Sequence, residues 1–543
     1  MVANQIDFKQ NKSEYYVEDL YNAIFDGEKF PGSFGATKDF TFVDYWTLRR
    51  RSVQLFKENS YAKGAIRRLL ANEIHTGLNL EANPISELVG LSEDDAIKWA
   101  EGSELNFNLW AKDRIQCDYY QEKTFGALQR EARQTALISG DCLVILRANI
   151  KTGIPMIQLI DGANVQASLD VKVRQGNYIK NGIEYNSRDR IVAYWVQNIT
   201  EQGIGDFSTP IIESKRVPAF GEKSGKKIAW LILGTDKLID ENRGEPILSA
   251  VLYMLKELDR YRDSEQRAAT INAMIPLFIK KTVPGAGSRP MGAGATRRDS
   301  ATVTDSSTGE KRSFNISNNL PGQVIDELTV GEEPVSFNTQ RPNTGYKVFE
   351  DTIINAFAWC LELPPEILRL LFQSNFSASR QANNEFNVYL QYIFWKFGSD
   401  FCQPIYNEQL FASVLNGDIK TDKIIDAKRA GERKIVNAWT NAEWSGLSRP
   451  SVDILKDAKA AVETIGLRIA TYNFWCRRIT GMSFRNTTQK LARETKLLER
   501  AGLTSSIDEN NNGEPLTAAA VVKKFTNIIK NIIDEKIDEI KEV

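Results

Sequence analysis

The chain has 543 residues, with 69 Lys+Arg against 70 Asp+Glu for a formal net charge of −1. That balance excludes a histone-like basic protein but leaves room for local basic surfaces. Hydrophobic residues at 42% and charged residues at 26% are those of a globular chain, and the length predicts about three or four domains.

The rare residues narrow the chemistry. The one histidine, His75, excludes HExxH and other His-rich metal centres. Cys117, Cys142, Cys360, Cys402 and Cys476 are scattered with no CxxC spacing, which predicts reduced thiols rather than a zinc or disulfide framework. The opening MVANQIDFKQ lacks the apolar core of a signal peptide, and no apolar run reaches transmembrane length.

Residues 1–60 are mixed and aromatic-rich, with a loop signal at Pro31-Gly32. Apolar spacing predicts helices over 61–74, 92–112 and 124–139. Ser92 caps the second, with Asp95 as a loose capping box, and Ile97, Leu105 and Leu109 mark its expected apolar face. After Ser139-Gly140-Asp141, CLVILRAN reads as a buried strand. PMIQLIDG, RIVAYWVQN and KIAWLILG then give a β region over 155–235. Gly244-Glu245-Pro246 opens a helix expected to run to 273, about 28 residues or roughly 40 Å. Its apolar stripe is Leu248, Val251, Leu255, Leu258 and Tyr261, and its other face is dense in charge.

Residues 284–318 are rich in Gly, Ser, Thr and Ala and should form a mobile loop. From Lys280 to Arg312 there are seven basic and three acidic residues, so the stretch is locally basic. Two short strands are expected in PGQVIDELTVGEEPVSF, then helices over 344–361 and 377–399, the latter capped by Ser377. Residues 422–508 read as largely helical with breaks near Gly446 and Gly481. Residues 516–542 read as an amphipathic helix.

Catalytic patterns are missing. His75 reads as a helix C-terminal residue, there is no GxxxxGK[ST], and Gly285, Gly287, Gly292 and Gly294 read as linker because no strand leads into them. Asp94-Asp95, Glu332-Glu333 and Asp508-Glu509 read as solvated surface. The residues point to a structural or binding protein. A metal-dependent nucleic-acid enzyme and a monomeric adaptor or scaffold stand as alternatives.

Four blocks in order carry a resemblance. They are RGEPILSAVLYMLKELDRYRDSEQ from 243, LPGQVIDELTVGEEPVSFNTQRPN with the helix and LPPEIL turn to 368, NFSASRQANNEF at 375–386, and WSGLSRPSVDILKDAKAAVETIGL from 444. Together they resemble the lambda-type portal proteins of tailed bacteriophages. There are departures: Asp240-Glu241-Asn242 replaces the usual GQ before RG-P, 284–318 looks like an insertion, and the last 30 residues have no counterpart.

The resemblance implies an α+β portal fold of wing, stem, clip and helical crown, assembled as a ring. It implies N-terminal wing over 1–244, stem helices over 245–273 and 344–363, and a clip over 274–343. It further implies a tunnel loop and wing return over 364–402, with the rest of the wing and the crown over 403–543. Phe372, Gln373, Ser374, Asn375, Phe376 and Arg380 would then face the DNA channel, and Arg289, Arg297, Arg298, Lys311 and Arg312 would form a basic clip loop. The implied partners are identical subunits, twelve in the usual ring, and double-stranded DNA bound without sequence preference. The terminase large subunit, the major capsid protein and a head–tail adaptor complete the set, with no membrane. No cofactor, metal or catalytic residue is implied, and the location is the portal vertex of a virion made in the host cytoplasm.

Overall fold

In the computed structural model, the described residues are 42–168, 171–200, 211–222, 224–237, 239, 241–273, 277–281, 300–304, 311–315, 332–336, 345–371, 376–446 and 454–500. The chain divides into a unit up to residue 447 and a second from 448.

The first unit opens with helices α1 (Phe42–Glu58) and α2 (Ser60–Glu73). Asn59 joins them, its side chain accepting the Ala62 N–H as the α2 N-cap. β1 (Asn79–Ala82) and the short α3 (Ser86–Val89) lead to α4 (Glu93–Lys112). Ser92 caps α4 as expected: its Oγ accepts the Asp95 N–H and donates to the Asp95 carboxylate.

The expected apolar face of α4 is corrected, since Ile97, Leu105 and Leu109 are exposed. Ala96, Ala100, Ser103, Phe107 and Trp110 point inward at the same helical spacing. Small residues at one end let the helix approach closely. At the other end Phe107 packs among Trp110, Phe125, Tyr406 and Trp444 with ring centroids 5.2–5.8 Å apart. Aromatic bulk decides the face over the aliphatic count.

α5 (Arg114–Cys117) and α6 (Phe125–Ser139) precede β2 (Asp141–Ala148) and β3 (Pro155–Asp161). Next come β4 (Tyr178–Lys180), β5 (Ile183–Tyr185), β6 (Ile191–Thr200), β7 (Ile211–Pro218) and β8 (Ala229–Leu233). β2 is central in a sheet of order β3-β2-β8, all antiparallel, while β4 to β7 form a four-stranded meander. β2 is buried from Asp141 to Leu146, which suits its run of large apolar residues.

The long helix starts later than expected. A 3₁₀ turn at Ser249–Val251 leads into α7 (Leu252–Ala273), 22 residues or about 33 Å. Before it, Ile247 donates its N–H to Leu137 and Glu245 accepts the Thr235 hydroxyl, so this backbone is committed to neighbouring segments.

After α7 come β9 (Leu277–Lys281), β10 (Ser300–Thr304), β11 (Lys311–Asn315) and β12 (Glu332–Ser336). β9 pairs with β12, and β10 pairs with β11 from Ser300↔Asn315 to Thr304↔Lys311. The stretch 284–318, expected as a loop, therefore contains a strand pair. Alternation in SATVT and KRSFN, with β-branched Thr and Val, suffices for it. Of the two strands expected in 321–337, one is β12; residues 321–331, where the other was expected, lie outside the described residues.

α8 (Tyr346–Cys360) and α9 (Pro365–Arg369) meet at a corner where Leu361 and Leu363 are buried. α10 (Phe376–Phe397) begins one residue before the expected Ser377 cap. A π turn at Gly398–Cys402 carries it directly into α11 (Gln403–Asn416). α12 (Asp422–Ala430), α13 (Arg433–Trp439) and β13 (Ala442–Ser445) complete the unit. β13 pairs with β1, tying the two ends of the described unit together.

One core joins α4, α6, β2 and α11, and another joins α2, the root of α7, α8 and α10. In the second unit α14 (Ile454–Gly466), α15 (Tyr472–Thr480) and α16 (Phe484–Arg500) follow one another. Buried Trp475 donates to Thr464 Oγ1 at 2.8 Å, pinning α15 to α14. The expected helix over 516–542 lies outside the described residues.

Candidate functional site

The root of α7 is held by a buried charge lock. The Arg243 and Asp141 side chains are both 0% exposed and pair at 2.7 Å. The Arg243 guanidinium also donates to Tyr45 Oη at 2.7 Å and to the carbonyls of Gly162, Val165 and Asn181 at 2.7–3.1 Å. Tyr45 donates to Asp141 Oδ1 at 2.9 Å, and the Gly244 N–H donates to Asp141 Oδ2 at 3.2 Å. Burial works against the Arg243 charge, yet Asp141 beside it keeps the guanidinium above its usual pKa. A buried charge is tolerable when its hydrogen bonds are filled, and these are.

The sequence shapes this lock locally. Gly140 ends α6 at φ +95°, and a Cβ there would lie 2.3 Å from the Gly244 carbonyl oxygen. A Cβ on Gly244 would lie 2.1 Å from the Gly140 oxygen. Gly140-Asp141 and Arg243-Gly244 therefore face each other as two glycine–charge pairs. A Cβ on Gly162 would strike Asp141 Oδ1 at 1.7 Å.

A second lock holds α10. Arg133 of α6 pairs with Glu73 of α2 at 2.8 Å, both buried, and donates to the Gly234 carbonyl. Tyr389 of α10 donates to Glu73 Oε1 at 2.7 Å. Burial opposes the Arg133 charge, and Glu73 raises its pKa in spite of that.

From this root the helices α7 and α8 leave together, with strands between them in sequence. Leu255, Leu258, Ile354 and Phe357 share one core. Farther out, Tyr261 stacks on Tyr346 at 5.6 Å and meets Phe349 edge-on at 4.8 Å. The charged face of α7 carries the pairs Arg260–Glu257 and Arg262–Asp259, so part of its charge is satisfied within the helix. Glu265, on the same helix, is buried. The pair β9–β12 closes the segment between the two helices.

Arg369 of α9 pairs with Asp351 of α8 at 2.6 Å and fixes the short helix. Leu370 then turns at φ +56°. Arg380 lies on α10 and is exposed, and Phe376 begins that helix. Phe372, Gln373, Ser374 and Asn375 lie outside the described residues. So do Arg289, Arg297 and Arg298, while Lys311 and Arg312 lie in β11. His75 is exposed at φ +51°, past the end of α2, as expected for a helix C-terminal residue.

Among the described residues no group of three or more His, Cys, Asp and Glu is arranged to hold a metal. No described helix is long and apolar enough to cross a membrane.

Sequence reading missed the roles of Asp141, Tyr45 and Arg243. The signal for Asp141 was an acid opening an otherwise apolar strand. The signal for Arg243 was a basic residue beside a glycine within a resemblance block.

The family described as phage portal protein, lambda family, matches residues 28–393. Portal protein B of Escherichia phage lambda is 21% identical over 465 residues, covering 83% of this chain and 84% of its own length. The portal protein of Escherichia phage N15 is 20% identical over 460 residues, with coverages of 83% and 84%. Among solved structures, the neck of a native gene transfer agent particle computed with C12 symmetry is similar at TM-score 0.39 and 9% identity, covering 81% of this chain and 93% of that one. A native gene transfer agent virion is similar at TM-score 0.39 and 10% identity, with coverages of 82% and 95%.

Proposed function

The chain belongs to the lambda family of phage portal proteins, and from that premise we propose that identical copies close into a ring at one capsid vertex through which double-stranded DNA is packaged and ejected. The observation that carries the reading is the family match over 28–393, which spans the charge lock, α7, the strand pairs and α8 as one block. As a portal protein it is a structural component of the virion.

In this reading α7 and α8 are the stem helices and the strands between them the clip. The two glycine–charge pairs at 140–141 and 243–244 fix the segment that leads into the first stem helix to the central strand β2. Outward-facing apolar residues supply surface for neighbouring copies: Trp359 is 87% exposed, and Val388, Tyr392 and Trp395 line up on the outer face of α10. Twelve copies is the family's usual number. Terminase would dock at the clip and later be replaced by a head–tail adaptor, while the outer rim meets the major capsid protein.

Residues 370–380 are the segment proposed to touch passing DNA. Its polar and aromatic side chains with one cation, Arg380, suit a polymer that must keep moving, since phosphate grip grows with each added cation. Imaging of the purified protein tests the ring. A packaging assay on a variant lacking 372–376 tests the channel: rings should persist and DNA retention should fall. Unchanged retention overturns the assignment, and loss of rings makes the segment a structural hinge.

A further inference from the structure

We infer that the outer face of α1 and α2 is a second, sequence-independent DNA-binding surface, separate from residues 370–380. Between Arg49 and Arg68 the chain has seven cations and one carboxylate, Glu58, in a protein of net charge −1. Arg49 is used internally, buried against Asp161 and the Ser139 carbonyl. The other six are Arg50, Arg51, Lys57, Lys63, Arg67 and Arg68. Arg50, Lys57 and Arg67 are exposed and the rest half-buried. None of the six carries an ion pair among the described residues, in contrast to Arg260 and Arg262 of α7, which pair along their helix.

The neighbouring acids are already engaged. Glu58 accepts from Gln54, Asp259 from Asn59, and Glu350 from Tyr61. Like charges gathered without counter-ions carry a repulsion cost, which an anionic polymer relieves.

The shape fits as well as the charge. Ser60, Gly64, Arg67 and Ala71 lie one above another on α2, and a Cβ built on Gly64 meets nothing within 4 Å. A flat helix face flanked by Lys63, Arg67 and Arg68 lets a phosphate backbone come close.

The inward side is rigid. Ser52 donates to the Ile138 carbonyl at 2.6 Å, and Ala62, Ala65, Ile66 and Leu69 are fully buried. The surface is therefore presented by a fixed scaffold beside the α7–α8 root, where Asn59 and Tyr61 make their contacts. Six cations with one interleaved acid, Glu58, match a polyphosphate better than a protein surface, whose charges are mixed. The inference rests on the portal reading only for the identity of the polymer.

The test is fluorescence anisotropy of a short random-sequence DNA duplex with the full-length protein across a salt series. Lys63→Gln/Arg67→Gln/Arg68→Gln should lower the slope of log affinity against log salt by about 2.7 and weaken binding about equally for all sequences. Gly64→Glu adds an acid where the helix has open space, so it should fold normally and also weaken binding. Both variants should form the same assemblies as the parent. An unchanged slope in the triple variant overturns the inference, as does normal binding by folded Gly64→Glu. If DNA binding persists but particle assembly fails, the face serves an acidic protein and the inference is wrong. A parent that forms rings yet ignores duplex DNA sinks the inference alone, and a parent without rings sinks the portal reading.

Discussion

Arg243 shows how one residue can fix the segment ahead of a long helix to a central strand. Replacing it with Met leaves Asp141 buried without its counter-charge, and the expected loss is about 3–5 kcal/mol by denaturant unfolding. Adding Asp141→Leu to Arg243→Met should cost less than the sum of the single changes, because the orphaned charge is gone. A strictly additive pair would mean that the two residues do not act as a unit. Glu184 makes a pH prediction. Burial pushes its carboxyl up, but Arg216, Asn177 and Trp195 outweigh burial and hold it below the usual carboxylate range. The stability it adds is thus full above the ordinary value, about 4.3, and is lost as pH falls through the lower folded one. Glu184→Gln should flatten the acid limb of the stability curve. An acid limb identical to the parent's would contradict that.

At the scale of elements, the outer face of α10 and the end of α8 carry the prediction. Trp359→Lys and Trp395→Lys alter exposed side chains, so thermal unfolding of the isolated subunit should shift by no more than about 0.5 kcal/mol. Assembly should weaken markedly, read by native mass spectrometry at fixed concentration. Full assembly with both substitutions would remove these residues from the interface. The same elements show what was legible beforehand. The periodicity at 124–139 and the apolar spacing of α7 were plain, because large side chains at helical spacing leave few alternatives. The inward face of α4 was not, since Ala96, Ala100 and Ser103 carry little hydrophobic signal and only the aromatic cluster around Phe107 shows which way they point. The start of α7 was misjudged for a related reason: Pro246 is a good first-turn residue, but long-range hydrogen bonds from Ile247 and to Glu245 occupy that backbone. The strand pair β10–β11 was hidden by glycine-rich neighbours whose composition dominates any window. The charge lock joins residues 102 and 198 positions apart in sequence, so no local pattern could reveal it, although an acid opening β2 and the Arg-Gly pair each marked a place.

At the scale of the whole molecule, the first unit carries the architecture: α7 and α8 share a core with α2 and α10, and paired strands lie between the two helices in the chain. The irregular segment that leads into α7 is pinned to β2 by the buried Arg243–Asp141 pair. A ring made of such subunits would be stiff at that segment and adaptable beyond it. In such a ring the long helices would set the depth of the channel, and the exposed apolar faces of α8 and α10 would set the spacing of neighbours. The measurement that tests this most directly is negative-stain imaging of the purified full-length protein. The expected result is class averages of a closed ring with a central hole wide enough for duplex DNA. Particles of single-subunit size at every salt and protein concentration tried would contradict it.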